Sequence, residues 1–202
     1  MHPQSTTIFA SSTDSTGTAF LYSRATKKYP DTYRILLSRD DWERVSAYRW
    51  APFQTEEDQR NGRTYFVSRV PLPGGRYQRV YLHRFIMNAP RGIIVDHRDS
   101  SNTRDNRRSN LRFATNEQNS QNARKKRNNS GEKAVSRYKG VCRGRNGWKV
   151  RIQVNGKRMT VGTFRADQET QAARAYDVAA LEHHGEFALT SFPACDYLQA
   201  AA

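Results

Sequence analysis

Apolar and polar positions change period several times along the chain, and the changes predict two small mixed folds in succession. RILL at 34–37 is a short apolar run bounded by polar residues, the pattern of a strand. SRDD at 38–41 resembles a capping box opening a brief helix through Val45, with Trp42, Val45 and Trp50 as its apolar contacts. Asn61-Gly62 is a hairpin turn signal before a strand at 65–70, and Pro73-Gly74-Gly75 is a second turn before a strand at 78–82. A short helix at 83–88 stops near Pro90. Ile93-Ile94-Val95 reads as a buried strand running into Asp96-His97. A polar loop leads to a second strand at 110–113, and Thr115 caps a helix over 116–123.

From Tyr138 the pattern becomes strictly alternating. YKGVCR, WKVRIQV and KRMTVGTF read as three strands with turns at 145–147 and 155–156. Trp148, Val150, Ile152 and Val154 share one face, while Lys149, Arg151 and Gln153 share the other; Met159 and Val161 alternate with Arg158 and Thr160. A helix follows over 168–183, with Asp167 as its N-cap and Gly185 just past its end. Its Ala172, Tyr176, Ala179 and Ala180 fall on one side, where small side chains allow close packing on the apolar sheet face. The fold class is therefore α+β. Residues 1–30, polar and rich in Ser and Thr, are expected to be loosely ordered. Residues 31–122 form one domain, 123–136 (ARKKRNNSGEKAVS) a basic linker, and 137–195 a second domain.

Charge changes this picture. The chain has 202 residues and a net charge of +15, and 11% of its residues are aromatic, too many for a disordered basic tail. Residues 98–165 hold 19 Lys and Arg against 4 Asp and Glu, whereas the remainder holds 15 of each. One third of the chain thus carries all the net charge, a field that captures polyanions. Double-stranded DNA is the expected partner. The alternative for any such stretch is a solvated basic surface; no basic amphipathic helix suggests a membrane. Cys142 and Cys195 form no CxxC pair, so a zinc knuckle or disulfide framework is not indicated and a reduced, intracellular setting fits. The N-terminus has no apolar h-region, so neither secretion nor a membrane span is expected.

The candidate chemistry lies between Asp96 and Asn119. Phosphodiester hydrolysis needs a base for the attacking water, which histidine supplies near neutral pH, and a hard cation held by oxygen ligands. Asp and Asn supply such oxygens, although a lone Asp-His pair is more often structural and Asn-rich loops are more often turns. LHRFIM (82–87), VDHRD (95–99), DNRRSNLRFAT (105–115) and QNSQN (118–122) resemble the HNH endonucleases, in the phage and mobile-element branch whose last histidine is replaced by Asn. The resemblance implies a ββα-metal core behind an antiparallel lead-in. It implies His97 as general base, Asn110 as the residue orienting it, and Asp96 and Asn119 as ligands of one divalent cation, Mg²⁺ or Mn²⁺, with no other small-molecule cofactor. His83 either contacts the site or packs at a helix start, and Arg84 shares that ambiguity. Asn102, Asp105 and Asn106 are expected to shape the loop; Asn122 is divided between the two roles. The adjacent pair His183-His184 points to different helix faces and reads as structural.

YKGVCR, GTF and QAARAYDVAALEHHGEFALTSFP resemble the AP2/ERF DNA-binding domain, a three-stranded sheet backed by one helix that reads the major groove. Cys142, Arg151 and Gln153 depart from the residues usual in plant members, so the plant target sequence does not carry over. The DNA-contact candidates are Arg143, Arg145, Lys149, Arg151, Gln153 and Arg158 on the sheet, Arg124, Lys125, Lys126 and Arg127 in the linker, and Arg112 in the core. Together the resemblances imply an endonuclease targeted by its tail and, if phage-encoded, working in the cytoplasm of a bacterial host. A single core with one cation most simply makes a nick. A DNA-binding regulator with an inactive core is the alternative. An RNA-binding role would put aromatic side chains on the open sheet face, which is instead Lys, Arg and Gln.

Overall fold

The computed structural model describes residues 17–23, 33–125 and 136–198. The chain divides into two compact units, residues 1–114 and 115–202.

The first unit opens with β1 (Thr18–Ser23) paired antiparallel to β2 (Tyr33–Ser38). A strand at 18–23 corrects the expectation of loose order there. TAFLYS is apolar enough to pair, and Ala19 and Leu21 are buried in the core beside Ile35 and Leu37. A 3-10 turn at Arg39–Asp41 leads into α1 (Trp42–Ser46). Ser38 makes no side-chain cap; its hydroxyl instead accepts from the Arg108 amide at 2.9 Å. β3 (Ala51–Phe53), β4 (Tyr65–Pro71) and β5 (Tyr77–Tyr81) form an antiparallel sheet, with α2 (Glu56–Arg60) between the first two strands. Asn61-Gly62 is therefore not a tight hairpin turn. Thr55 and Asp58 form a reciprocal capping box, and Asn61 closes the helix they open, followed by Gly62 at φ 67°. α3 (Leu82–Ile86) buries Leu82 and Ile86 in the core. The final ribbon pairs β6 (Ile94–His97) with β7 (Leu111–Ala114). Ile93, read as buried, lies just before β6 and is 42% exposed.

The second unit begins with α4 (Asn116–Asn122), capped by a reciprocal box between Thr115 and Gln118. β8 (Val141–Arg143), β9 (Gly147–Val154) and β10 (Lys157–Arg165) form an antiparallel sheet with β9 in the middle. Packed on it is α5 (Glu169–His184), whose Ala172, Ala173, Tyr176, Ala179 and Ala180 are all buried with Val141, Trp148, Val150 and Ile152. Gly140 lets this happen: a Cβ there would sit 1.9 Å from the Tyr176 ring. Gln168, rather than Asp167, holds the N-cap position of α5; Asp167 is drawn off into an exposed ion pair with Arg165. The apolar stripe expected on β10 does not close over. A bulge between Thr160 and Gly162 breaks the alternation, and Met159 and Val161 stay 46% and 38% exposed. His184 is structural, its Nε2 lying 2.9 Å from the Gln153 carbonyl. By compactness α4 falls in the second unit, although the motif series it closes begins in the first.

Candidate active site

Strand register builds the centre of the site. β6 ends on Asp96-His97, and antiparallel pairing with β7 sets Arg112 opposite Asp96 and Leu111 opposite His97. Directly opposed side chains in such a pair lie close enough to interact. Accordingly Nε and Nη2 of Arg112 both donate to Asp96 Oδ2, at 3.1 and 2.9 Å. The two residues are only 5% and 7% exposed. Arg112, a DNA-contact candidate by sequence, is thus buried beside Asp96 and directs its guanidinium onto that carboxylate.

His97, 4% exposed, sits among aromatic rings that the sequence reading did not connect to it. The His83 ring, from the first turn of α3, is 5.3 Å away between centroids. Tyr65, at the start of β4, is 6.1 Å from His97 and 5.6 Å from His83, while Tyr81, at the end of β5, is 5.5 Å from His83. His83 thus packs at the start of α3 with its ring against that of His97. Burial pushes its pKa down to about 3, helped by the neighbouring His97 and Arg84. Burial also lowers His97 below the ordinary histidine value. A side-chain hydrogen bond with Asn106 and the charges of Asp96, Asp105 and Asp99 oppose that effect. Burial thus favours the neutral form of both rings.

The loop joining β6 to β7 is tied down by its own polar side chains. Asn110 accepts from the Asp99 amide at 2.9 Å and donates to the Asp105 carbonyl at 2.8 Å. Asn106 donates to the carbonyls of Thr103 and Arg104 at 3.3 and 3.2 Å. Thr103 exchanges two bonds with the Thr64 backbone, each 3.0 Å. Arg108 reaches the buried Asp41 with two bonds of 2.8 and 2.7 Å. The amide of Asn110 thus ties the loop together, and a side-chain hydrogen bond links Asn106 to His97.

The description of the HNH endonuclease family matches residues 80–121, a span that includes His83, Asp96, His97, Asn110 and Asn119. An uncharacterised HNH endonuclease of Acanthamoeba polyphaga mimivirus is 31% identical over 198 residues, covering 92% of each chain. The chain belongs to the HNH endonuclease family. Part of this HNH endonuclease is also similar to plant proteins. An AP2/ERF and B3 domain-containing protein of Oryza sativa subsp. japonica is 51% identical over 59 residues, 29% of this chain and 16% of that one. An AP2-like ethylene-responsive transcription factor of Arabidopsis thaliana is 35% identical over 63 residues, 31% of this chain and 18% of its own. The chain thus spans less than a fifth of these plant relatives. No solved structure matches it.

In the AP2-like part of this HNH endonuclease, the β9 face bearing Lys149 and Arg151 is half-buried and that bearing Gln153 is exposed, with Cys142, Thr160 and Thr163 beside them in register. Arg158 is exposed opposite Gln153. Arg143 instead pairs with Trp148, on the other row, and its guanidinium lies 5.2 Å from the indole centroid. Arg145 is exposed in the turn, and Arg124 is exposed after α4. Lys125 is half-buried, and its Nζ donates to the carbonyls of Ser136, Tyr138 and Val141 at 2.7, 3.0 and 2.9 Å. Lys126 and Arg127 lie outside the described residues.

Among the described residues no three His, Cys, Asp or Glu side chains gather into a metal-holding group. The motif residues Asp96 and Asn119 carry a carboxylate and an amide oxygen, donor types that suit Mg²⁺ or Mn²⁺.

Proposed function

We propose that this HNH endonuclease hydrolyses phosphodiester bonds of double-stranded DNA with one divalent cation, Mg²⁺ or Mn²⁺, and that its AP2-like module positions it on the duplex. The observation that carries the reading is the setting of His97: buried, where burial favours its neutral form, hydrogen-bonded to Asn106 and adjacent to Asp96. A neutral imidazole is the form that accepts a proton, and the side chain of Asn106 fixes its orientation. His97 takes the proton from the attacking water. Asn110 acts one step further out, by holding the loop that presents Asn106. Asp96 and Asn119 would hold the cation, which supplies positive charge to the scissile phosphate and the departing 3′ oxygen. The rings of His83, Tyr65 and Tyr81 shield the base from bulk water and keep it uncharged. Lys149, Arg151, Gln153 and Arg158 would meet DNA through the open sheet face, as in major-groove β-sheet readers.

The second reading is a DNA-binding regulator with an inactive core. The ion pair of Arg112 with Asp96 favours it, because that pair engages the carboxylate a metal needs. Nicking of supercoiled plasmid in Mg²⁺ and in EDTA separates the two. Metal-dependent nicking, lowered about 10²–10⁴-fold in His97→Ala with DNA affinity unchanged, supports the nuclease. Binding without nicking at any Mg²⁺ or Mn²⁺ concentration leaves the regulator.

A further inference from the structure

α4 has the sequence NEQNSQN, which contains no apolar residue. A seven-residue helix is too short to persist alone, and most helices hold their place by burying an apolar face. This one has no such face, so polar contacts must position it. Its start is held by the Thr115 and Gln118 box. Its end is held by Lys139, whose Nζ donates to the carbonyls of Ser120, Gln121 and Ala123, the last at 2.7 Å. An ammonium there satisfies the orphan carbonyls and faces the negative end of the helix dipole. Lys139 lies directly before Gly140 and β8. In the first turn of α4, Glu117 Oε1 accepts from the amide of Gly156 at 3.2 Å. Gly156 is the tip of the β9–β10 hairpin, with Asn155 and Gly156 at φ 50° and 74°. The same hairpin carries Gln153 and Arg158, paired across its strands. All these groups belong to one compact unit, 115–202.

We infer that the AP2-like module is a support for α4 as well as an anchor on DNA: Lys139 and the Glu117–Gly156 bond hold the helix that carries Asn119, so that engagement of the sheet by DNA steadies this residue for its cation. The inference rests on the assignment of Asn119 as a metal ligand. Lys139 and Glu117 are positioning residues; neither touches substrate or metal. The burial that lowers the Lys139 pKa to about 8 is consistent with an ammonium enclosed by carbonyls in place of water. A module that only anchored would bind DNA through its outer face and leave the neighbouring helix to pack by itself.

The test uses the full chain with Lys139→Met, Lys139→Arg and Glu117→Ala. Three quantities are read: affinity for a duplex in EDTA, the Mg²⁺ concentration for half-maximal nicking, and hydrogen exchange of the 116–122 amides with and without duplex. Lys139→Met is expected to raise half-saturating Mg²⁺ about tenfold with little change in rate at saturating metal, as a support role requires. It is also expected to speed amide exchange in α4 about tenfold, while duplex affinity stays within twofold. Lys139→Arg restores both, Glu117→Ala shows the same trend more weakly, and duplex slows α4 exchange in the wild type. Unchanged α4 exchange and metal dependence in a folded Lys139→Met would overturn the inference, as would a loss confined to duplex affinity. Should Lys139→Met not fold, Glu117→Ala decides on the same criteria. If the wild type fails to nick, the metal assignment fails with it, and the exchange arm still reports whether the module holds the helix.

Discussion

Replacing Arg112 by Met tests what the register of β6 on β7 implies. Met keeps an unbranched apolar stem and removes the guanidinium. Asp96, 7% exposed, then loses both bonds that reach its Oδ2 from Nε and Nη2. Removing one partner of a buried ion pair costs about 3–5 kcal/mol, most of it the penalty of the stranded charge. A domain of this size has about 5–15 kcal/mol in total, so the first unit should approach the edge of folding. Urea unfolding in EDTA measures this, because Trp50 reports on the first unit and Trp148 on the second.

The companion variants set the sign. Asp96→Asn in the Arg112→Met background removes the stranded charge and should recover about 1–3 kcal/mol, so the two substitutions are far from additive. A ligand that binds only the folded state raises its stability. Mn²⁺ should therefore raise the Arg112→Met midpoint more than the wild-type midpoint, since the cation takes over neutralisation of Asp96. A loss below about 1 kcal/mol for Arg112→Met, the value of an exposed pair, with additive double-mutant energies, would refute the buried-pair argument and return Arg112 to the list of surface contacts.

Other consequences follow from the same geometry. Because the His83 pKa is about 3 in the fold and near 6.5 when unfolded, the unfolded chain binds more protons between those values. Stability is thus complete above pH 6.5 and is lost on acidification, by about 2 kcal/mol at pH 5 for this group; His83→Gln should flatten metal-free unfolding curves across that window. Lys149→Gln and Arg151→Gln should each lower the slope of log affinity against log salt by up to about 0.9, one phosphate's share; Lys125→Gln, whose ammonium is turned onto three carbonyls, should leave the slope alone and lower the melting temperature. Gly140→Ala meets the Tyr176 ring at a φ of +70° and should destabilise the second unit by about 2 kcal/mol or more, read from Trp148 fluorescence on heating.

Periodicity carried the sequence reading furthest where burial is one-sided. The Trp148, Val150, Ile152 row and the alanines of α5 were legible because a strand with one buried face must alternate and a close-packed helix must be small there. Turn signals were weaker. Asn155-Gly156 makes the expected hairpin tip, yet Asn61-Gly62 ends a helix, because Thr55 and Asp58 had already started one upstream. Counting charge was weakest of all. Lys125 and Arg112 look like two more cations for DNA, but each directs its charge onto carbonyls or a carboxylate within its own unit, as Lys139 also does. Which lysines do so depends on where chain ends and strand neighbours fall, and no local pattern encodes that.

The density of asparagine between 96 and 122 has a physical cause that neither scaffolding nor metal chemistry explains alone. Asn110 donates from Nδ2 to the Asp105 carbonyl and accepts at Oδ1 from the Asp99 amide. Asn106 donates to two carbonyls and also hydrogen-bonds His97. Aspartate could accept but not donate, lysine could donate but not accept, and either would add a charge beside a histidine that must stay neutral. Asn106→Asp would lose the donations to Thr103 and Arg104, and its negative charge would pull the His97 pKa upward toward protonation near neutral pH. An uncharged side chain with both functions is the one that ties the loop and leaves the imidazole a base.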